Sequence, residues 1–401
     1  MDRRSLLTSA LGAGALTCSG RLMAAPATDQ RLLVVFLRGA YDAANIVIPT
    51  YSDFYYQSRP SLAIARPNPN DPKAALPLDG QWSLHPALAQ SIYPLWQAKQ
   101  IAFVPYVGTD DMSRSHFETQ DTIELGQPIN ASRDYRSGFM GRLAGALGGC
   151  RPIAFSNNVP IIFHDGSAIV PNLAIQSVGK PNFDARQQAI IEAMYRNPAA
   201  QRLAPAVSVQ EGFQVREQAF TSLQDEMGKA GRGAANARGF ALQARRVAAL
   251  MKDRFNLAFL DVGGWDTHVN QGAADGQLAN RIGDLGAGLA AYAQEMGADW
   301  NRTTVIVLSE FGRTFHENGN RGTDHGHGSV YWVLGGAVQG GRMAGPQVQL
   351  SQQTLNQGRD LPVLTDYRGL IGGVVSRLYG MRADRLDRVF PGAAPVDLNL
   401  V

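Results

Sequence analysis

Cysteine is scarce in this sequence, with two cysteines among 401 residues. Cys18 lies in an N-terminal segment typical of an export signal, so Cys150 is the cysteine expected to remain after processing. An intrachain disulfide is therefore excluded in the processed chain. A lipid anchor at Cys18 is not favoured, because Thr17 stands where a small residue such as Gly or Ala is typical. Cys150 is typical of a small buried side chain rather than a nucleophile.

Strong charge and long apolar runs are also lacking. The formal net charge is +3, and it falls to +1 when the predicted signal, which carries three arginines and one aspartate, is removed. A nearly neutral chain gives no reason to expect a nucleic-acid partner or binding to an anionic membrane. No stretch provides the about 18 uncharged apolar residues of a membrane-spanning helix. The sequence thus predicts no nucleic-acid binding and no stable membrane insertion.

The N-terminus has the pattern of an export signal, predicted to cover residues 1–25. Paired arginines at Arg3-Arg4 precede an apolar segment at residues 6–16, and small residues follow around Ala24-Ala25. The paired arginines favour the twin-arginine export machinery as a partner, and a periplasmic or secreted location. The alternative is an ordinary secretory signal, since every such signal has a positive start.

Short apolar runs, rich in Val, Ile and Leu, predict buried strands. These runs are Leu32–Leu37, Ile101–Val107, Leu257–Leu260, Val305–Leu308 and Val330–Leu334, with shorter candidates at Ile153–Phe155 and Val159–Phe163. Helical spacing between them, as at Phe139–Leu147 and Ile282–Met296, predicts crossovers and a mainly parallel sheet. We therefore predict one doubly wound α/β domain over residues 30–401, with helices on both faces of the sheet. An Ala-, Gln- and Arg-rich stretch at about 181–254 predicts a helical insertion.

Potential metal ligands stand beside several of these strands. In α/β sheets, ligands bind where loops leave the carboxyl ends of the strands. Carboxylate oxygens and imidazole nitrogens both suit divalent cations, and zinc accepts imidazole readily. We therefore predict a divalent metal site that favours zinc, with one or two ions. The candidate ligands are Asp42, Asp266, His268, Glu310, Asp324, His325 and His327.

Each of these motifs also has a simpler interpretation. Asp266 could cap the helix that follows its strand, and Asp42 could cap a turn. Glu310 could form a surface ion pair with Arg313. The Asp324–Gly328 loop could be a Gly-rich loop with solvated histidines. Only the three-dimensional arrangement separates these alternatives.

Two further residues are candidates for catalysis. Ser115 lies at a predicted helix start, where backbone N–H groups and the positive helix end would activate a hydroxyl. The alternative for Ser115 is an ordinary helix N-cap, which is the commonest role of Ser at such a position. Arg313 follows a strand and has the fork geometry that suits an anionic ester, with Arg38 as a second candidate.

Taken together, the motifs resemble an exported family known as domain of unknown function 1501. The resemblance covers nearly the whole chain, through the paired arginines of the signal and five short motifs. These motifs are Leu37-Arg-Gly-Ala-Tyr-Asp42, Leu84-His-Pro-Ala-Leu88, Arg114-Ser-His-Phe117, Gly264-Trp-Asp-Thr-His268 and Ser309-Glu-Phe-Gly-Arg-Thr314. More remotely, the chain resembles the alkaline phosphatase and sulfatase superfamily.

That resemblance implies a doubly wound α/β fold and a two-metal site beside a Ser or Thr nucleophile. It implies Asp42 as the carboxylate after the first strand and Ser115 as the nucleophile. Asp266 and His268 match the superfamily's Asp/His metal pair, and His325 or His327 matches its late metal histidine. The chain departs from the pattern at Phe311, which stands after Glu310 where the superfamily has a histidine. Either Asp324 or the second histidine compensates, or one metal site is lost.

The sequence thus predicts an exported metal-dependent hydrolase that acts on a small phosphate or sulfate ester. The alternative is an exported binding or assembly protein that keeps the fold with a degenerate metal site. Phe311 is the residue that favours this alternative.

Overall fold

The computed structural model describes residues 29–156, 158–166, 168–173 and 240–401. The predicted signal at 1–25 lies outside the described residues, as does the predicted insertion up to residue 239. The last part of that insertion is described and forms a helix from Phe240 to Asp253.

The core of the domain is an eight-stranded sheet. Its strands are β1 (Arg31–Leu37), β5 (Ile101–Gly108), β6 (Pro152–Phe155), β7 (Leu257–Val262), β8 (Thr303–Ser309), β9 (Ser329–Leu334), β10 (Arg342–Met343) and β11 (Thr365–Asp366). The order is β10-β5-β9-β8-β1-β7-β6, with β11 also paired to β5. All pairings are parallel except those of β9, which runs antiparallel to β8 and β5. A small separate sheet contains β2 (Val47–Ile48), β3 (Leu76–Pro77) and β4 (Ser83–Leu84).

Helices cover both faces of the large sheet. In the described residues they are α1 (Asp53–Ser58), α2 (Ile92–Gln97), α3 (His116–Leu125), α4 (Phe139–Leu147), α5 (Phe240–Asp253), α6 (Gln277–Met296), α7 (Tyr367–Tyr379) and α8 (Ala383–Val389). Alternate residues of β1 point to opposite faces, as strand geometry requires. Leu33 and Val35 join one apolar core with α5 and α6, whereas Leu32 and Val34 join a second core with α4 and α7. The structure confirms the predicted doubly wound, mainly parallel α/β fold.

One local prediction needs correction. The strand candidate at Val159–Phe163 is instead a 3₁₀ turn at Ile161–Phe163. Its Ile162 N–H donates to the buried Glu124 carboxylate at 3.0 Å rather than to a neighbouring strand.

No helix among the described residues is long and apolar enough to cross a membrane.

Candidate metal centre

The predicted ligand loops leave the same edge of the sheet. Strands β1, β5, β7 and β8 run parallel, so their carboxyl ends face one side. Because β9 is antiparallel to β8, its first residue faces that same side, and the loop before it joins the others. This topology is what brings distant segments of the chain to one site.

Four side chains converge at this edge. His116, Asp266 and His325 each offer a ligand atom, and these atoms all lie within 4.8 Å of one another. His268 completes the group: its Nε2 lies 2.9 Å from Asp266 Oδ1 and 3.1 Å from His325 Nε2. Three imidazoles and one carboxylate form a ligand set that zinc and similar cations accept. We call these four residues the metal centre.

An oxygen atom stands behind each imidazole of the metal centre. The three Nδ1 contacts are His116 to Glu310 Oε1 at 2.8 Å, His268 to Asp324 Oδ1 at 3.0 Å, and His325 to the Arg114 carbonyl at 2.9 Å. A carbonyl or an ionised carboxylate only accepts, so each Nδ1 must carry the proton. In the neutral form, each imidazole then has its lone pair at Nε2, on the side of the other ligand atoms. Metal-binding histidines are commonly fixed in this way.

The positions of the three Nε2 atoms test whether a divalent cation fits between them. His116 Nε2 is buried without a hydrogen-bond partner, and the nearest Asp266 oxygen is 3.6 Å away. The Nε2 atoms of His268 and His325 face each other at 3.1 Å, and they lie 2.9 and 3.4 Å from Asp266 Oδ1. Nitrogen ligands of a tetrahedral zinc ion, at about 2.0–2.1 Å from the metal, would lie roughly 3.3 Å apart. The residues present therefore fit a divalent cation.

The charges at the centre also suit a cation. Burial alone would raise the pKa of Asp266, but the Arg313 guanidinium and the neighbouring histidines outweigh it and hold this pKa below its usual value. Burial lowers the pKa of His325, with further lowering from His116 and Arg313. At neutral pH, Asp266 is thus ionised and His325 neutral, which are the protonation states that a metal ligand needs.

Glu310 lies behind the centre rather than within its ligand set. It is fully buried, and its Oε1 accepts from the Gly39 N–H, His116 Nδ1 and Gln120 Nε2, each at 2.8 Å. Burial would raise its pKa, but these hydrogen bonds together hold the pKa below its usual value. Glu310 thus contacts His116 from behind and lies outside the group of converging ligand atoms found among the described residues. Its role as a direct metal ligand stays a prediction.

Asp42 lies in a different environment from the other predicted ligands. It is buried and paired with the fully buried Arg59 through two contacts, Nη1 to Oδ2 at 2.5 Å and Nη2 to Oδ1 at 3.0 Å. Gln271 Nε2 donates to the same Oδ2 at 2.6 Å. Three protein donors thus hold this carboxylate, and its role as a metal ligand stays a prediction. We call Asp42 and Arg59 the buried ion pair.

The other two predicted ligands lie beside the centre. Asp324 accepts from His268 Nδ1 and from Asn318 Nδ2, both at 3.0 Å, so it positions a ligand as Glu310 does. His327 is buried and does not belong to the group of converging ligand atoms found among the described residues. Burial lowers its pKa. Of the two late histidines, the structure brings His325 to the centre and not His327.

Arg313 donates its hydrogen bonds to the protein itself, and its predicted contact with substrate stays a prediction. Its side chain is fully buried, and its guanidinium donates to the Asp266 carboxylate and, at 3.5 Å, toward His268 Nε2. The remaining donors serve four backbone carbonyls, those of Gly39, Ala40, Trp265 and Thr323. All five N–H groups of a guanidinium are used in this way. Arg313 fixes Asp266 and ties three loops together.

Ser115 directly precedes His116 at the start of α3. Its side chain makes no cap hydrogen bond to this helix, and its own N–H donates to Ser113 Oγ at 3.3 Å. The N-cap alternative for its hydroxyl thus loses its expected contact. Its role as a nucleophile stays a prediction.

Phe311 forms an apolar wall of the centre. Its ring stacks on His116, with centroids 5.0 Å apart, and lies 5.3 Å from the His325 ring. On the opposite side, Gly39 approaches so closely that a Cβ atom there would lie 2.9 Å from the Asp266 nitrogen, and its φ of +115° also favours glycine. An apolar ring and a stretch of backbone thus border the centre, while the side chains of Asp266 and His268 stay 44% and 39% exposed.

His116 and Gln120 were not predicted as site residues. Both lie on the first turns of α3, four residues apart, and so share one helix face. The signal that could have found them is the rule used for the other loops: His116 lies in the segment that follows the buried strand β5. In the Arg114–Phe117 motif, the sequence analysis predicts a role for Ser115 and not for its neighbour His116.

Solved structures that match the chain include two distant ones. One is a protein in the alkaline phosphatase superfamily from Vibrio parahaemolyticus, with a TM-score of 0.37 and 10% identity over 87% of this chain and 66% of that one. The other is Ps i-CgsB in complex with k-i-k-neocarrahexaose, with a TM-score of 0.38 and 8% identity over 91% of this chain and 74% of that one. Such scores carry no argument about activity. No curated protein matches the chain.

The sequence family described as "Protein of unknown function (DUF1501)" matches residues 29–390, which is nearly the whole chain after the predicted signal. The match confirms the resemblance drawn from the short motifs. The chain belongs to the DUF1501 family.

Proposed function

We propose that this protein is an exported metal-dependent hydrolase of phosphate or sulfate esters, with a single divalent ion held by the metal centre. The observation that carries the proposal is that the Nε2 atoms of His116, His268 and His325 converge on the Asp266 carboxylate, while each Nδ1 faces an oxygen atom. Zinc is the cation that this ligand set favours.

A bound divalent cation would supply positive charge that neutralises the ester oxygens as the bond to the leaving group breaks. The protein supplies the surroundings for that charge. Arg313 holds Asp266 in place and balances part of its charge. Phe311 keeps one side of the centre apolar, which strengthens electrostatic interactions there.

We propose the Ser115 hydroxyl as the attacking group. It adjoins His116 in the chain, and its oxygen is not used to cap α3. A serine oxygen that attacks phosphorus or sulfur would form a covalent ester and release the alcohol, and water would then restore the serine. Ser115→Ala should abolish hydrolysis while the metal content stays the same. If hydrolysis survives, the attacking group is not Ser115.

The overall proposal is tested on the full-length protein purified without added metal. Its metal content is measured by mass spectrometry, and its hydrolysis of p-nitrophenyl phosphate and p-nitrophenyl sulfate is followed before and after chelation. We expect about one ion per chain and activity that chelation removes and zinc restores. Metal-free protein that hydrolyses neither ester, even with zinc added, would reject the hydrolase.

A second function, binding or assembly without catalysis, is favoured by one specific observation. Asp42 was predicted to bind a metal ion and Arg313 to contact the substrate. Both side chains make their contacts with the protein itself. A protein that binds one ion but hydrolyses neither ester would support this function.

For export, we propose the twin-arginine route to the periplasm, from Arg3-Arg4 and the apolar segment after it. Replacing both arginines by lysine keeps the positive charge but removes the motif. Cell fractionation should show the protein retained in the cytoplasm. Unchanged delivery would support the ordinary secretory signal instead.

A further inference from the structure

Two loops supply three of the four residues of the metal centre. We name them the Asp266 loop, residues 265–268, and the His325 loop, residues 323–325. We propose that Gln271 is a positioning residue that holds these two loops in register and anchors both to the buried ion pair. This inference rests on the metal binding proposed above, but not on hydrolysis.

Gln271 contacts both loops through one atom. Its Oε1 accepts from Thr267 Oγ1 at 2.7 Å and from Thr323 Oγ1 at 2.9 Å. Thr267 lies between Asp266 and His268, and Thr323 lies two residues before His325. Gln271 and both threonines are buried, so water does not compete for these bonds.

The orientation of the Gln271 amide follows from its third contact. Nε2 lies 2.6 Å from Asp42 Oδ2, and Asp42 is paired with Arg59. An ionised carboxylate only accepts, so the amide nitrogen must face Asp42 and the amide oxygen must face the threonines. Both threonine hydroxyls then have to donate. The three hydrogen bonds are consistent with one another in this single arrangement.

The anchor behind Gln271 is rigid. Arg59 is fully buried and also donates to the carbonyls of Thr314, at 2.9 Å, and Phe315, at 2.7 Å. These carbonyls belong to the chain that follows Arg313, which itself holds Asp266. Asp42 therefore serves the metal centre indirectly, as the fixed point to which Gln271 attaches the two loops.

The consequence for the centre is geometric. His268 and His325 approach each other across the gap between the two loops, with their Nε2 atoms 3.1 Å apart. The loops are also joined by the Thr323 N–H to the Thr267 carbonyl at 3.2 Å, by His268 Nδ1 to Asp324 Oδ1 at 3.0 Å, and by the donors of Arg313. Gln271 fixes the residues next to the ligands on both sides at once. Without it, the ligand atoms would be held less closely to the positions that a small cation needs.

The test compares cobalt and zinc binding by the full-length wild type with that of Gln271→Ala and Thr323→Val. The second variant removes one hydroxyl with little change of shape. Affinity is measured by competition with a chelator, and the visible spectrum of the cobalt-loaded protein reports the coordination geometry. Unfolding by denaturant of the metal-free proteins is measured alongside. Gln100→Ala is the matched control. Gln100 lies just before the start of β5, away from the centre, and its Oε1 accepts a partly buried hydrogen bond from Trp300 Nε1 at 3.1 Å.

We expect the two loop variants to bind cobalt and zinc about 10–100-fold more weakly, as is typical for residues behind metal ligands, and to change the cobalt spectrum. The control should lose stability only. Loop variants that bind both ions as tightly as the wild type, with the same spectrum, would overturn this inference while leaving the metal centre in place. A wild type that binds neither ion would reject the metal centre itself, and this inference with it. Should Gln271→Ala fail to fold, Thr323→Val alone decides between these outcomes.

Discussion

Two imidazoles of this protein, the buried His85 and the partly buried His116, differ in the contacts of their Nε2 atoms. His85 uses both nitrogens: Nδ1 accepts from the Ala87 N–H at 3.0 Å, and Nε2 donates to the Ala273 carbonyl at 3.0 Å. His116 uses Nδ1 alone, and its buried Nε2 has no hydrogen-bond partner. A buried polar atom without a partner is unfavourable unless something binds it. The open nitrogen, rather than the residue type, is what marks the metal centre.

The same difference separates two aspartates that each follow a parallel strand. Asp42 follows β1 and has both oxygens occupied by Arg59 and Gln271. Asp266 follows β7, is about half exposed, and faces three imidazoles. The buried ion pair and the metal centre thus lie at one edge of the sheet. The carboxylate of the ion pair is hydrogen-bonded within the protein, whereas that of the metal centre is partly exposed. The first stabilises the fold, and the second is available to a ligand.

The largest effect is expected from breaking the buried ion pair. Arg59→Met keeps most of the side-chain volume but leaves Asp42 buried without its cation. Removing one partner of a buried pair costs about 3–5 kcal/mol of unfolding free energy. Denaturant unfolding of the metal-free protein checks this value. The number of ions bound by the folded variant should stay the same, and a new ion at the freed Asp42 would contradict the separation of the two regions.

His85, whose two ring nitrogens are both hydrogen-bonded, is expected to make the free energy of unfolding depend on pH in the acid range. Burial lowers the pKa of His85 from 6.5 to about 4. Between these two values the unfolded chain binds a proton that the folded chain does not, so stability falls as the pH decreases from 6.5 to 4 and is constant above 6.5. The expected loss is about 3 kcal/mol. His85→Asn, which can still accept from the Ala87 N–H, should remove this part of the pH dependence in denaturant unfolding. An unchanged slope would contradict the buried, neutral state of His85.

His116, whose Nε2 has no hydrogen-bond partner, is expected to control the affinity for zinc. His116→Ala removes a ligand and should weaken zinc binding by more than about 100-fold, beyond the loss typical of residues behind the ligands. Chelator competition measures this, with the exposed His316→Ala as the control of the same residue type. Equal affinities of the two variants would place the ion elsewhere.

A smaller loss is expected when only the support of that ligand changes. Glu310→Gln keeps an oxygen near His116 but removes the negative charge that fixes its Nδ1 proton. Zinc affinity should fall about 10-fold, at the lower end for residues behind metal ligands. A loss as large as that of His116→Ala would indicate that Glu310 binds the ion directly.

The sequence predicted the sheet and its edge, because buried parallel strands have a distinct apolar pattern. Asp266, His268 and His325 were found since each stands at or near the end of such a strand. The role of Asp42 could not be predicted, because its partner Arg59 lies seventeen residues later, after a helix whose direction no local pattern gives. His116 was not predicted as a ligand because it does not directly follow a strand. A loop of several residues separates it from the end of β5, and the sequence does not show where that loop leads. The exclusion of His327 depends on how the loop before β9 turns, which is a property of the packed backbone.

Whether the metal centre holds a single zinc ion is tested by anomalous X-ray scattering at the zinc edge, from crystals of zinc-loaded full-length protein. We expect one strong peak per chain, about 2.0–2.1 Å from the Nε2 atoms of His116 and His325 and close to Asp266. A peak beside Asp42, or two peaks sharing Asp266, would contradict it. So would zinc-loaded crystals with no peak at the four converging side chains.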